Sequence, residues 1–68
     1  MNNIIDINDS STYPNFLIDS FINDYEIDYD NLVVHFHNKD YGWYTYSIIV
    51  VVDVAFINEE LKEIFHLE

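Results

Sequence analysis

The 68-residue chain contains no cysteine and no arginine, and its only lysines are Lys39 and Lys62. Without cysteine it has no disulfide framework, no zinc–thiolate site and no thiol nucleophile. Its single glycine, Gly42, excludes a glycine-rich loop that cradles phosphates. The longest apolar run, residues 48–52, is followed by Asp53 and is too short to span a bilayer.

Thirteen carboxylates oppose these two cations and give a net charge of −11. Because phosphates repel carboxylates, we expect no direct binding to nucleic acid and none to an anionic membrane. An aromatic content of 18% argues against disorder. The residues 1–4 lack the basic start of a signal peptide, so the sequence predicts a cytoplasmic protein.

The scarcity of lysine is informative because asparagine, isoleucine, tyrosine and phenylalanine are abundant, as AT-rich coding favours. Such coding would also supply lysine. Self-repulsion destabilises a small domain, so the retained negative field is expected to be useful. Solubility is one explanation, and steering towards a basic partner surface is the one we favour.

We predict one domain over residues 1–68, with residues 1–11 as a loose arm or a short edge strand. Apolar residues at helical spacing then predict a helix over residues 14–25. These residues are Leu17, Ile18, Phe21, Ile22 and Tyr25.

Alternating and β-branched segments predict strands over residues 26–30, 32–37 and 43–54, with a loop at 38–42. Asn58 is expected to cap a C-terminal helix whose first turn holds Glu59 and Glu60. The predicted fold class is α+β: an antiparallel three-stranded meander flanked by an N-terminal and a C-terminal helix. If 26–30 continues into the next strand, the sheet has two long strands instead.

An acidic run is the first candidate for function, with five carboxylates within twelve residues: Asp19, Asp24, Glu26, Asp28 and Asp30. In an extended chain the last three point to one face, about 6.6 Å apart, which is twice the strand rise. This spacing is close to that of phosphates along a nucleic-acid strand. Asp40, Glu59, Glu60 and Glu63 could extend the row, and a merely solvated polar face is the alternative.

The same run is superficially similar to the start of a calcium-binding EF-hand loop, at Asp24, Glu26 and Asp28. Tyr29 occupies the position of the required glycine, and His35 that of the bidentate glutamate. We therefore expect no calcium site.

Two histidines, His35 and His37, share one face of a predicted strand, and His66 could join them. Such pairs are more often half-exposed residues than metal ligands, so no metal or cofactor is expected. Ser47 and Asp53 complete a Ser-His-Asp set with His35, but most chains offer one, and no nucleophile elbow is present. The sequence therefore predicts no enzyme.

Aromatic residues surround the predicted loop next to Asp40: Tyr41, Trp43, Tyr44 and Tyr46. Tyrosine and tryptophan are enriched at interface hot spots. Their alternation places Trp43 and Thr45 on one face and Tyr44 and Tyr46 on the other, and one set should belong to the core.

In its size, lack of cysteine, negative charge and aromatic content, the whole chain resembles the small acidic inhibitors made by phages and mobile elements. These include DNA-mimic anti-CRISPR proteins and inhibitors of uracil-DNA glycosylase or restriction enzymes. No motif defines the class, and its folds are unrelated, so no functional residue is carried across. The resemblance implies a stoichiometric inhibitor that occupies the cationic groove of a nucleic-acid-binding protein in a bacterial cytoplasm.

The residues expected to bind this partner are Asp19, Asp24, Glu26, Asp28, Tyr29, Asp30, Asp40, Tyr41 and Trp43. One alternative is an immunity protein or antitoxin that neutralises a basic toxin nuclease. The other is a homodimeric assembly subunit that pairs through its sheet edge.

Overall fold

The computed structural model describes residues 3–19 and 22–67. The strands are β1 (Ile4–Asp6), β2 (Ile22–Asp28), β3 (Val33–Asn38) and β4 (Gly42–Ile49). The helices are α1 (Asn15–Ile18) and α2 (Ile57–Phe65), and single 3-10 turns lie at Ser10–Thr12 and Val54–Phe56. The strands form one mixed sheet in the order β1-β4-β3-β2, with β1 parallel to β4 and the other neighbours antiparallel.

The predicted three-stranded antiparallel meander flanked by two helices is therefore wrong. A fourth strand, β1, comes from the segment for which a loose arm or an edge strand was predicted. Ile5 explains this pairing, because β1 places its side chain in the core with no exposed area. Only α2 is longer than one turn among the described residues, since α1 has four residues.

The N-terminal helix predicted over residues 14–25 is replaced by α1 and the first half of β2. A β-bulge between Ile22 and Asp24 shifts the register of β2 against β3. The extra residue lets Ile22 and Tyr25, three positions apart, both pack against the core, and this spacing imitates a helix. Phe21, which completed the predicted stripe, lies outside the described residues.

Two of the predicted strands differ from the observed ones by more than one residue at an end. The strand predicted over 26–30 begins earlier and ends at Asp28, so Asp30 lies in a turn. The strand predicted over 43–54 ends at Ile49, whose partner Asp6 is the last residue of β1. The valines that follow have no strand to pair with among the described residues, and β propensity alone does not extend a sheet.

The core lies between one face of the sheet and the helices. Alternation places Val34 and Phe36 of β3 on this face with Tyr46 and Ile48 of β4. The other buried apolar residues are Ile5, Ile7, Leu17, Ile57, Leu61 and Phe65. The rings of Phe36 and Phe65 have centroids 4.6 Å apart, which fixes α2 across the middle of the sheet. Of the two alternating sets of β4, the one that contains Tyr46 faces the core, and Trp43 lies on the exposed side.

Side-chain oxygens hold the two hairpin turns. Oδ1 of Asp28 accepts the backbone N–H groups of Asp30 and Asn31, and Oδ1 of Asn38 accepts those of Asp40 and Tyr41. Such turns are typical of Asp and Asn. The second hairpin ends at Gly42, whose φ of 88° favours glycine.

The C-terminal helix was predicted, but Asn58 does not cap it. Asp53 instead accepts the N–H of Ala55 and starts the 3-10 turn that leads into α2. Oδ1 of Asn58 accepts the hydroxyl of Tyr25 at 2.9 Å, which joins α2 to β2. No helix of the described residues has the length and apolar character needed to cross a membrane.

Candidate partner-binding surface

One face of the sheet, which we call the open face, lies opposite the helices. Its β4 residues are all exposed: Trp43, Thr45, Ser47 and Ile49. Strand pairing aligns Asp24, His37 and Trp43 in one row across β2, β3 and β4. The next row holds Glu26, His35 and Thr45. The face therefore changes from acidic at β2, through imidazole at β3, to aromatic and hydroxyl at β4.

The acidic edge of the open face consists of Asp24, Glu26 and Asp28, at alternate positions of β2. Alternate residues of a strand have Cα atoms about 6.6 Å apart, which is twice the rise of the strand. The prediction had grouped Glu26, Asp28 and Asp30. In the structure the row begins two residues earlier, at Asp24, directly after the bulge. Asp30 lies in the turn after β2 and is therefore not part of the row.

An open cleft of about 560 Å³ lies at the β2–β3 hairpin and is lined by Glu26, Ile27, Asp28, Tyr29, Asp30 and His35. It brings together four of the residues predicted to bind the partner: Glu26, Asp28, Tyr29 and Asp30. Tyr29 is 46% exposed. Three carboxylates around a concave surface with an aromatic side chain have the chemistry that attracts a cationic group.

Asp28 is both an element of this cleft and a support of its turn. Its Oδ2 accepts the Asn31 side-chain amide at 2.8 Å, in addition to the backbone bonds at Oδ1. These bonds with Asn31, assisted by Asp30 N–H and by His35, lower the pKa of Asp28 below its ordinary value. The carboxylate therefore stays ionised to lower pH than a free aspartate.

The middle of the open face is held by hydrogen bonds of the two histidines. Nδ1 of His37 donates to Oδ1 of Asn23, the bulge residue, at 3.0 Å, and Nδ1 of His35 lies 2.8 Å from the Thr45 hydroxyl. The rings of His37 and Trp43 have centroids 4.9 Å apart and planes 51° apart. Trp43 nevertheless remains 58% exposed, so its indole offers a free surface to a partner.

Three of the predicted contact residues belong neither to the cleft nor to the rows of the open face. Asp19 is exposed directly after α1, and Asp40 and Tyr41 lie in the β3–β4 turn. The Tyr41 ring meets Phe16 edge-on at 6.4 Å, so Tyr41 is part of an aromatic group with α1. Within residues 3–19 and 22–67, no contact groups Asp19 with the β2 row.

A second acidic group surrounds Tyr13 on the helical side. Burial and then the charges of Glu60, Asp6, Asp9 and Glu63 raise the pKa of the Tyr13 phenol. Its hydroxyl donates to the carbonyl of Ile7. Glu60 and Glu63 belong to α2, which packs on the opposite face from the open face. They therefore do not extend the β2 row, although the sequence had suggested that they could.

The sequence did not predict an exposed apolar segment that begins at the end of β4, because all of its residues except Phe56 were expected in a central strand. The segment consists of Ile49, Val51, Val52, Val54 and Phe56, with Val51 75% exposed. None of the described residues packs over this segment closely enough to bury it. The segment begins where the pairing of β4 with β1 ends. The composition of the segment does not show where that pairing ends.

Among the described residues, no three His, Asp or Glu side chains are grouped so as to hold a metal ion. Comparison of the chain with family models, with curated proteins and with solved structures finds no match.

Proposed function

We propose that the protein is a stoichiometric inhibitor that binds the cationic groove of a nucleic-acid-binding protein in the cytoplasm and competes with nucleic acid there. The observation that carries the proposal is the acidic row of β2, whose carboxylates share one face and adjoin the cleft. Their spacing of about 6.6 Å is similar to that of phosphates along a strand of nucleic acid. The partner that we propose is a nuclease, or another nucleic-acid-binding protein that defends the cell against mobile elements.

The energetics favour such a partner. A net charge of −11 on 68 residues produces a field that speeds association with a cationic surface. Surface ion pairs alone stabilise a complex weakly, by about 0–1 kcal/mol each, and salt screens them. The exposed rings of Tyr29 and Trp43 supply apolar area beside the carboxylates, which lets the complex persist after encounter.

A capture experiment tests this function with three baits: the wild-type protein, Asp24→Asn/Glu26→Gln, and Glu59→Gln/Glu63→Gln. Both double variants remove two negative charges, but only the first removes them from the open face. We expect the wild type and the α2 variant to retain the same partner from host lysate at low salt. The β2 variant should lose it.

Added nucleic acid then decides the mode of action. If the captured partner binds nucleic acid and is released by it, the two ligands share one groove. A partner that binds nucleic acid and this protein together would contradict the proposal, and so would equal capture by all three baits. A toxin nuclease as partner would identify the protein as an immunity protein or antitoxin that uses the same surface.

The exposed apolar segment favours a second candidate function, a homodimeric assembly subunit. Val51 and Phe56 are 75% and 56% exposed, and apolar surface of this kind is common at protein interfaces. Like charges on the two copies oppose the dimer, so salt should strengthen it. Sedimentation at low and high salt tests this: a dimer that forms at high salt and is lost in Val51→Ser/Phe56→Ser supports it, and a monomer throughout contradicts it.

A further inference from the structure

We propose that the open face binds an arginine side chain of the partner along the row Asp24, His37 and Trp43. The guanidinium lies over the ring of His37, where it pairs with the carboxylate of Asp24 on one side and stacks against the indole of Trp43 on the other. The inference rests on the proposed function, from which it takes the premise that the partner is positively charged. It adds which cation is recognised and where.

The geometry of the row supports this occupant. Neighbouring strands are about 4.8 Å apart, so β2 and β4 are separated by about 10 Å across β3. The row thus presents a carboxylate at one end and an exposed indole at the other, with the His37 ring between them. A planar cation over the His37 ring lies one strand spacing from each end of the row, within reach of both the carboxylate and the indole.

Arginine fits this arrangement better than lysine does. The guanidinium is planar and weakly hydrated, stacks on aromatic faces and forms paired hydrogen bonds with a carboxylate. Tryptophan is the aromatic residue that attracts cations most strongly. The ammonium of lysine is a compact, strongly hydrated charge and gains less from the Trp43 indole.

The charges of the chain exclude two other occupants of this face. A second copy of the chain carries the same net charge of −11 and has no arginine to offer. A nucleic-acid base could stack on Trp43, but its phosphates would lie against Asp24 and Glu26, which repel them. A protein surface that carries arginine is the occupant that both the rings and the carboxylates attract.

Trp43 is the only tryptophan of the chain and therefore reports on this site directly. Its fluorescence can be titrated with an arginine-rich peptide without aromatic residues and with a lysine peptide of the same length and charge. We expect the arginine peptide to change the Trp43 emission and to bind about two- to fivefold more tightly than the lysine peptide.

Variants separate specific recognition from general attraction between opposite charges. Asp24→Asn/Glu26→Gln should weaken binding of the arginine peptide, whereas Glu59→Gln/Glu63→Gln should keep the preference for arginine. In Trp43→Leu, measured by calorimetry, the preference for the arginine peptide should shrink, because the guanidinium loses the indole against which it stacks. Trp43 is exposed, so this variant is expected to fold.

Equal affinities of the wild type for the two peptides would overturn the inference, and so would equal weakening by the two double variants. Emission of Trp43 that depends on protein concentration, with a dimer in sedimentation, would assign the face to a second copy and overturn it as well. An arginine preference with a captured partner that nucleic acid does not displace would leave this inference standing and remove the proposed function. Displacement without an arginine preference would do the reverse.

Discussion

The rings of His37 and Trp43 lie 4.9 Å apart on the open face, while Phe36, the residue next to His37, is fully buried on the other side. Neighbouring positions of one hairpin thus serve different purposes. Trp43→Ala should lower the free energy of unfolding by about 1 kcal/mol or less, because little buried area is lost. Phe36→Ala should lower it by about 3–5 kcal/mol. Urea unfolding of both variants checks this, and a similar large loss for both would show that Trp43 is a core residue.

The hydrogen bond from Tyr25 to Asn58 joins the acidic strand to the helical layer. Tyr25→Phe removes only the hydroxyl and leaves the Asn58 acceptor without this donor. We expect a loss of about 0.5–1.5 kcal/mol in the free energy of unfolding. Tyr29→Phe is the matched control, since Tyr29 is 46% exposed, and it should unfold like the wild type. Equal unfolding midpoints for the two variants would show that the bond contributes nothing.

The last turn of α2 ends at His66, which has a φ of 56°. The N–H of Leu67 donates to the carbonyl of Lys62 at 3.0 Å and closes the helix, in a motif that favours glycine. His66→Gly should raise the free energy of unfolding by about 0.5–1 kcal/mol, because the strain of the side chain is relieved. His66→Ala keeps the Cβ atom and should not stabilise. A stabilising alanine would mean that the imidazole itself, rather than the backbone, is unfavourable there.

Acid should weaken the β2–β3 turn through Asp28. Its pKa is lower in the folded protein than in the unfolded chain, chiefly because of the bonds with Asn31. The stability it contributes is therefore present above the unfolded pKa of about 3.9 and is lost as the pH falls through the folded pKa.

Urea unfolding of Asp28→Asn and the wild type between about pH 6 and about pH 2 measures this contribution. The control Asp30→Asn removes a charge from the same turn and keeps the Asp28 acceptor. Relative to Asp30→Asn, the variant Asp28→Asn should be less stable at the upper pH and equally stable at the lower pH. A difference that does not change with pH would contradict the role of the ionised carboxylate.

The alternation of Trp43 and Tyr44 could be read from the sequence because each strand side chain points to the face opposite its neighbour. The same rule found the C-terminal part of β2. The pairing of His37 with Trp43 follows from the position of the predicted loop over 38–42. Asn38 pairs with Gly42 at the ends of this loop, so His37, before it, lies opposite Trp43, after it. Local pattern therefore predicts most of the open face.

The remaining differences come from contacts between distant segments. The bulge at Ile22 and Asp24 depends on the pairing of β2 with β3, and in the sequence its spacing of three cannot be told from a helix turn. The end of β4 depends on where β1 stops, which the valines after Ile49 do not show. The apolar segment is exposed because β4 ends there, so no local signal in the sequence revealed it.

The central claim is that the β2 row recognises a cationic partner, and the salt dependence of association with the captured partner tests it most directly. The association rate constants of the wild type, Asp24→Asn/Glu26→Gln and Glu59→Gln/Glu63→Gln are measured from low to high salt. We expect the β2 variant to associate about tenfold more slowly than the α2 variant at low salt, and the difference to vanish at high salt as screening removes the field. Equal rate constants for the two variants at every salt concentration would contradict the claim, because position on the open face would then not matter.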